Sequence, residues 1–179
     1  YQHEKERLVL DAMERYCDSI NSFVHNLSLV NLESTGLLDF QQYLLEYLQS
    51  ETFTSLLSET KKLVNCLSTV KYGILTKELD VQVRPYNAEA DYTAEVEKTF
   101  EKFKQNSVKD YLTKYEEQPG MNHVEAAILK GVTILYPEIF QTLTEYYKRY
   151  FNYGDETIKT FDREIQFYLA YIEYISKIK

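Results

Sequence analysis

The feature that most constrains this chain is its last stretch, where Ile158, Phe161, Ile165, Tyr168, Ile172 and Ile175 recur at alternating steps of three and four residues. That period belongs to a helix packed lengthwise against others. Phe167, Leu169 and Tyr171 widen the apolar stripe so far that the helix must touch neighbours on more than one side. Full burial of the seam is worth roughly 10 to 15 kcal/mol gross, at about 1.5 to 3 per large side chain, and ordering the chain offsets much of that. Such a helix is not expected to stand alone. The first helix, whose own seam reads Val9, Met13, Tyr16, Ile20, Phe23 and Leu27, is one candidate partner. The first pattern is under way near Tyr1, with no initiator methionine, and the last runs to the final residue without a stop signal. The expectation is an excerpt from a longer protein whose chemistry lies mostly outside these residues.

Five glycines and three prolines in 179 residues leave few breakers, which favours long helices over a many-turned β architecture. The fold expected is mainly α: an elongated helical bundle of long helices with a small β-hairpin inserted in the middle. The net charge of -8 is uneven, because residues 1 to 60 carry three basic and ten acidic side chains while the remainder nearly balances. A polyanion is repelled by the first third, so any DNA contact must be local. Cys17 and Cys66 lie in apolar helical stripes without metal-ligand or redox spacing, and are expected as buried free thiols in a reducing, cytoplasmic setting. No apolar run reaches membrane-spanning length.

Three segments are expected. Residues 1–69 form a helical core. Its first helix runs from about His3 to Val30 and ends in the turn and cap residues Ser34, Thr35 and Gly36. A second carries the stripe Leu37, Phe40, Leu44 and Tyr47, and a third follows a break at Ser50 with Phe53, Leu56, Leu63 and Leu67. Residues 70–122 hold a hairpin, read from the alternation of Val70, Tyr72, Ile74 and Thr76 and then of Leu79, Val81 and Val83, ended by Pro85. A two-stranded ribbon is marginal in water and must lean on a helix. The helix expected to support it is the next, from about Asp91 to Gln105, with Tyr92, Val96, Phe100 and Phe103 on one face. Residues 123–179 hold a helix from about His123 to Leu135, another from Tyr136-Pro137 to about Asn152, and the terminal helix after Gly154-Asp155.

No phosphate-binding loop, dinucleotide fingerprint or nucleophile elbow is present, so nucleotide hydrolysis is not carried by these residues. Ser22 and Gly120 stand where a di-iron bundle needs a glutamate three residues before His25 and His123. The three histidines read as surface or cap residues, and Asp91, Glu95, Glu97 and Glu101 as a solvated helix face interleaved with lysines. No catalytic, cofactor or metal residue is assigned. Between Lys98 and Lys114 five lysines face Glu101 and Asp110, which makes either a basic tip or an ordinary charged helix face. Tyr146-Tyr147-Lys148-Arg149-Tyr150-Phe151 could stack on bases, but its spacing puts Leu143, Tyr146 and Tyr150 on one side, as core packing requires. The 17 tyrosines are spread over the helices and suit seam edges, ring buried and hydroxyl reaching out.

The run Phe161-Asp162-Arg163-Glu164-Ile165-Gln166-Phe167-Tyr168-Leu169-Ala170-Tyr171-Ile172-Glu173-Tyr174-Ile175 resembles the end of the lever helix that leads into the ATPase domain of MutS-like DNA mismatch repair proteins, in particular a bacterial MutS-related branch. Val81-Gln82-Val83-Arg84-Pro85-Tyr86, with Asp91-Tyr92 and Glu95 to Phe100, is similar to the middle of the same region. The resemblance implies a noncatalytic core-and-lever domain that couples nucleotide state in a downstream ATPase domain to DNA embrace. It also implies ATP and magnesium as cofactors of the parent protein, DNA and the ATPase domain as partners, and a homodimeric parent. Only the hairpin and the segment up to about Asn122 stand where the family has its clamp, and Lys104, Lys109 and Lys114 are the candidates there for DNA backbone contact. The alternative from a different class is a free-standing helical adaptor that binds another protein and has no DNA role.

Overall fold

A computed structural model describes residues 2–77, 80–88, 96, 98 and 121–178. Among them are six α-helices and one antiparallel hairpin: α1 (Gln2–Ser28), α2 (Thr35–Gln49), α3 (Glu51–Ser68), β1 (Tyr72–Lys77), β2 (Asp80–Pro85), α4 (His123–Leu135), α5 (Pro137–Tyr150) and α6 (Glu156–Ser176). The fold is mainly α with a small inserted hairpin, as the shortage of breakers and the change of period imply.

The helix ends follow from local chemistry. The Gln41 side-chain amide donates to the Leu27 carbonyl, satisfying one of the acceptors that the end of α1 leaves open. Ser50 separates α2 from α3 by serving both. Its hydroxyl donates to the Tyr47 carbonyl at 2.6 Å and accepts from the Phe53 N–H at 3.2 Å. Ser34 does take the N-cap position of α2, with extended backbone, but its side chain makes no capping hydrogen bond. Asn122 opens α4 with a reciprocal capping box: its side chain accepts from the Val124 and Glu125 N–H groups while the Glu125 carboxylate accepts from the Asn122 N–H. Pro137 is the first residue of α5, where a missing N–H costs nothing.

The chain divides into two compact units, Tyr1–Lys5 with Lys61–Thr142, and Glu6–Thr60 with Leu143–Lys179. The first unit contains the hairpin, registered from Tyr72 opposite Pro85 to Lys77 opposite Asp80. α4 packs on β2 and supports the hairpin. Gly131 makes that approach close, since a Cβ built there would lie 2.8 Å from both Cβ and Cγ2 of Val83. Of the helix expected at 91–105, Val96 and Lys98 are helical and exposed, and the other positions lie outside the described residues. Within the same unit, Tyr136 donates its hydroxyl to the Lys71 carbonyl, and His3 meets the Phe140 ring edge-on at 5.2 Å between centroids.

The second unit holds most of the core. Leu10, Cys17, Ile20 and Val24 of α1, Phe40, Leu44 and Tyr47 of α2, Phe53 and Leu56 of α3, and Leu143, Tyr146 and Tyr150 of α5 are buried. The expected stripes of α2 and α3 are therefore the packed ones. On α1 the deepest row lies one residue over from the expected seam: Val9, Met13, Tyr16, Phe23 and Leu27 are half-buried while Leu10, Cys17 and Val24 are covered. The reason is that both rows are apolar, so periodicity alone does not choose between them. Cys17 and Cys66 are free thiols, the first buried and the second half-buried.

Candidate functional site

The junction between α5 and α6, in the second unit, gathers the tyrosines into an ordered hydroxyl network. Tyr47 on α2 sits at its centre, with its hydroxyl 3.0 Å from that of Tyr16 on α1 and 2.7 Å from that of Tyr153. Tyr43, one turn before Tyr47, donates to Asp155 Oδ2 at 2.7 Å. The other oxygen, Oδ1, accepts from the Ile158 N–H at 2.9 Å and so caps α6. One carboxylate thus joins the start of α6 to the side of α2. Three residues after Ile158, Phe161 stacks on Phe40 with 3.8 Å between centroids and 12° between planes, and Phe23 of α1 leans on both. At this end the terminal helix touches the first helix, the candidate partner, through Phe23 and Phe161.

Burial raises the pKa of the Tyr47 phenol far above its ordinary range, and the hydrogen bonds with Tyr153 and Tyr16 add to the effect. Burial likewise raises Tyr16, Tyr43 and Tyr153. All four therefore act as neutral hydroxyls at physiological pH, and their role in this network is to fix positions. A second polar cluster stands between α3 and α5. Tyr146 and Thr60 share a buried hydrogen bond of 2.6 Å, and the Glu59 carboxylate accepts from Arg149 at 2.7 and 2.8 Å and from Tyr150 at 3.2 Å. Tyr146 and Tyr150 are core residues, which removes them from any base-stacking surface. Glu6 is buried on α1 and accepts from Thr144 at 3.1 Å.

Past this anchored base α6 changes character. The seam expected to pack lengthwise is only partly covered: Ile158, Phe161, Ile165 and Ile175 are half-buried, Tyr168 and Ile172 are exposed, and no residue of α6 is buried. A second stripe, Phe167, Tyr171, Tyr174 and Ile178, lies roughly 120° around the helix from the first at 100° per residue, and is also exposed. The polar strip left over carries two local pairs, Gln166 with Asp162 and Lys177 with Glu173. A base fixed by cap, hydroxyl network and ring stack thus carries later turns whose apolar surface is exposed.

Lys104, Lys109 and Lys114 lie outside the described residues. Among the described residues there is no group of three or more His, Cys, Asp or Glu side chains placed to hold a metal ion, and no helix long and apolar enough to cross a membrane. No family model, curated protein or solved structure matches the chain. The hydroxyl network was missed by sequence reasoning, which placed tyrosines at seam edges without pairing them. The one available signal was the Tyr43 and Tyr47 spacing of four, which puts both rings on one side of α2.

Proposed function

We propose that this chain is a noncatalytic core-and-lever module of a MutS-like DNA-transaction ATPase, with α6 as the lever. The observation that carries the reading is the contrast within α6. Its first turns are fixed to α1 and α2 by Asp155, Tyr43 and the Phe161 stack, whereas its later turns leave an apolar surface exposed. A lever requires both, because packed elements move as units and transmit displacement only when each end is gripped. In this reading the ATPase activity, ATP and magnesium belong to another part of the parent protein, DNA is the partner at the hairpin side, and the setting is cytoplasmic. The two free thiols suit that compartment.

The test is binding of this chain to labelled duplex, mismatched and branched DNA across a salt series. The expected result is saturable binding that weakens steeply with salt. Lys104→Gln, Lys109→Gln and Lys114→Gln together should lower the log–log salt slope by about 2 to 3. Absence of binding at low salt removes the DNA role. The exposed apolar surface of α6 then favours the second reading, a helical adaptor whose arm is gripped by another protein.

A further inference from the structure

We propose that α6 is a self-association element: its outer stripe, Phe167, Tyr171, Tyr174 and Ile178, pairs with the same stripe of a second copy of this chain. The inference stands on α6 itself and does not depend on the MutS-like reading.

The side chains are 67%, 54%, 65% and 66% exposed, and with Tyr168, Leu169 and Ile172 they form one continuous belt. At about 150 to 250 Å² for a whole aromatic residue, and somewhat less for Leu or Ile, the exposed parts amount to roughly 800 Å². Patches on monomeric proteins are typically about 300 to 600 Å². The outer stripe alone exposes roughly 500 Å² on the same scale, so a two-fold contact along it buries about 1,000 Å² from the two copies together, the lower bound for a specific interface. The stripe also recurs at steps of four, three and four, the 3.5-residue period of a helix-to-helix seam. The occupant it fits is another helix with an equally apolar seam of that period, and α6 is one.

Charge permits the pairing. The chain carries a formal net charge of -8, which would resist self-association through most of its surface. From Phe167 to Ile178, however, only Glu173 and Lys177 are charged, and they neutralise each other at 2.7 Å on the polar strip. A two-fold contact along the outer stripe therefore brings no like charges together. Phe167 and Tyr171 are already stacked along the helix, 6° between planes, as a preformed flat surface.

The test uses the complete chain and two doubly substituted forms, Tyr171→Glu with Tyr174→Glu, and Tyr171→Lys with Tyr174→Lys. Tyr171 and Tyr174 oppose each other in an antiparallel pairing of the stripe and oppose their own counterparts in a parallel one, so acid meets base in the mixture either way. All four substitutions fall on exposed positions, and unchanged helical circular dichroism checks that each form folds. Sedimentation equilibrium over a roughly hundredfold concentration range should show the unsubstituted chain dimerising. Each charged form should dimerise at least about tenfold more weakly, and an equimolar mixture should regain association. An unsubstituted chain that stays monomeric throughout overturns the proposal and leaves the stripe to a different partner. So does dimerisation that survives in the Glu form, or a mixture of the folded Glu and Lys forms that stays monomeric.

Discussion

Gly131 shows how one absent side chain sets a contact between elements. In the middle of α4 an alanine is ordinarily better than glycine by about 1 kcal/mol. Here the added Cβ would meet Val83 at 2.8 Å, and one of the two atoms it meets is the Val83 Cβ, which no rotamer change can move away. Overpacking of this kind costs about 1 to 3 kcal/mol, so the clash outweighs the propensity gain. Gly131→Ala is expected to lower stability in urea unfolding, and a Val83→Ala background should relieve only the Cγ2 part of the loss. A more stable Gly131→Ala protein would show that β2 does not lie this close to α4. Composition marked glycine as scarce, but it could not say that this one faces a strand, because the approach joins residues 48 positions apart.

At the scale of elements, α6 is defined by its two ends. Asp155 both caps the helix and accepts from Tyr43, so Asp155→Ala removes a local and a tertiary bond together. The expected cost is about 1 to 2 kcal/mol, the upper part of the range for a lost cap. Amide exchange should rise first in the opening turn, at Thr157, Ile158 and Lys159, ahead of the rest of the second unit. Equal protection of that turn in both proteins would sink the anchoring role. The helix itself was legible from the sequence, as were its start after Gly154-Asp155 and the excess width of its apolar stripe. Its degree of cover was not. A period of 3.5 residues identifies a surface that seeks a partner, and it carries no information on whether the partner belongs to the same chain.

For the whole molecule, the tyrosine network predicts a pH dependence of stability. The phenols of Tyr16, Tyr43, Tyr47, Tyr146, Tyr150 and Tyr153 are all raised above their ordinary value, with burial the largest cause in each case. A raised phenol keeps its proton in the folded state after the unfolded chain has released it near pH 10. Stability from these groups is therefore fully present below about pH 10 and falls above it, by at most about 1.4 kcal/mol per pH unit for each fully differential phenol. Thermal unfolding followed from about pH 9 to about pH 11 should show the decline, and Tyr47→Phe should make it shallower while lowering stability at neutral pH. A melting temperature flat across that window would mean the phenols are not held as the geometry requires. The sequence by itself determined the helical class, the helix limits to within a few residues, the hairpin, and the core stripes of α2, α3 and α5, because breakers, caps and periodicity act over a few residues. Tertiary structure alone decided the deeper row of α1, the support of the hairpin by α4, the three-hydroxyl chain through Tyr47, and the open later turns of α6. Each depends on which surfaces meet across long separations in the chain, and packing energy is close to degenerate among apolar rows until the three-dimensional arrangement selects one.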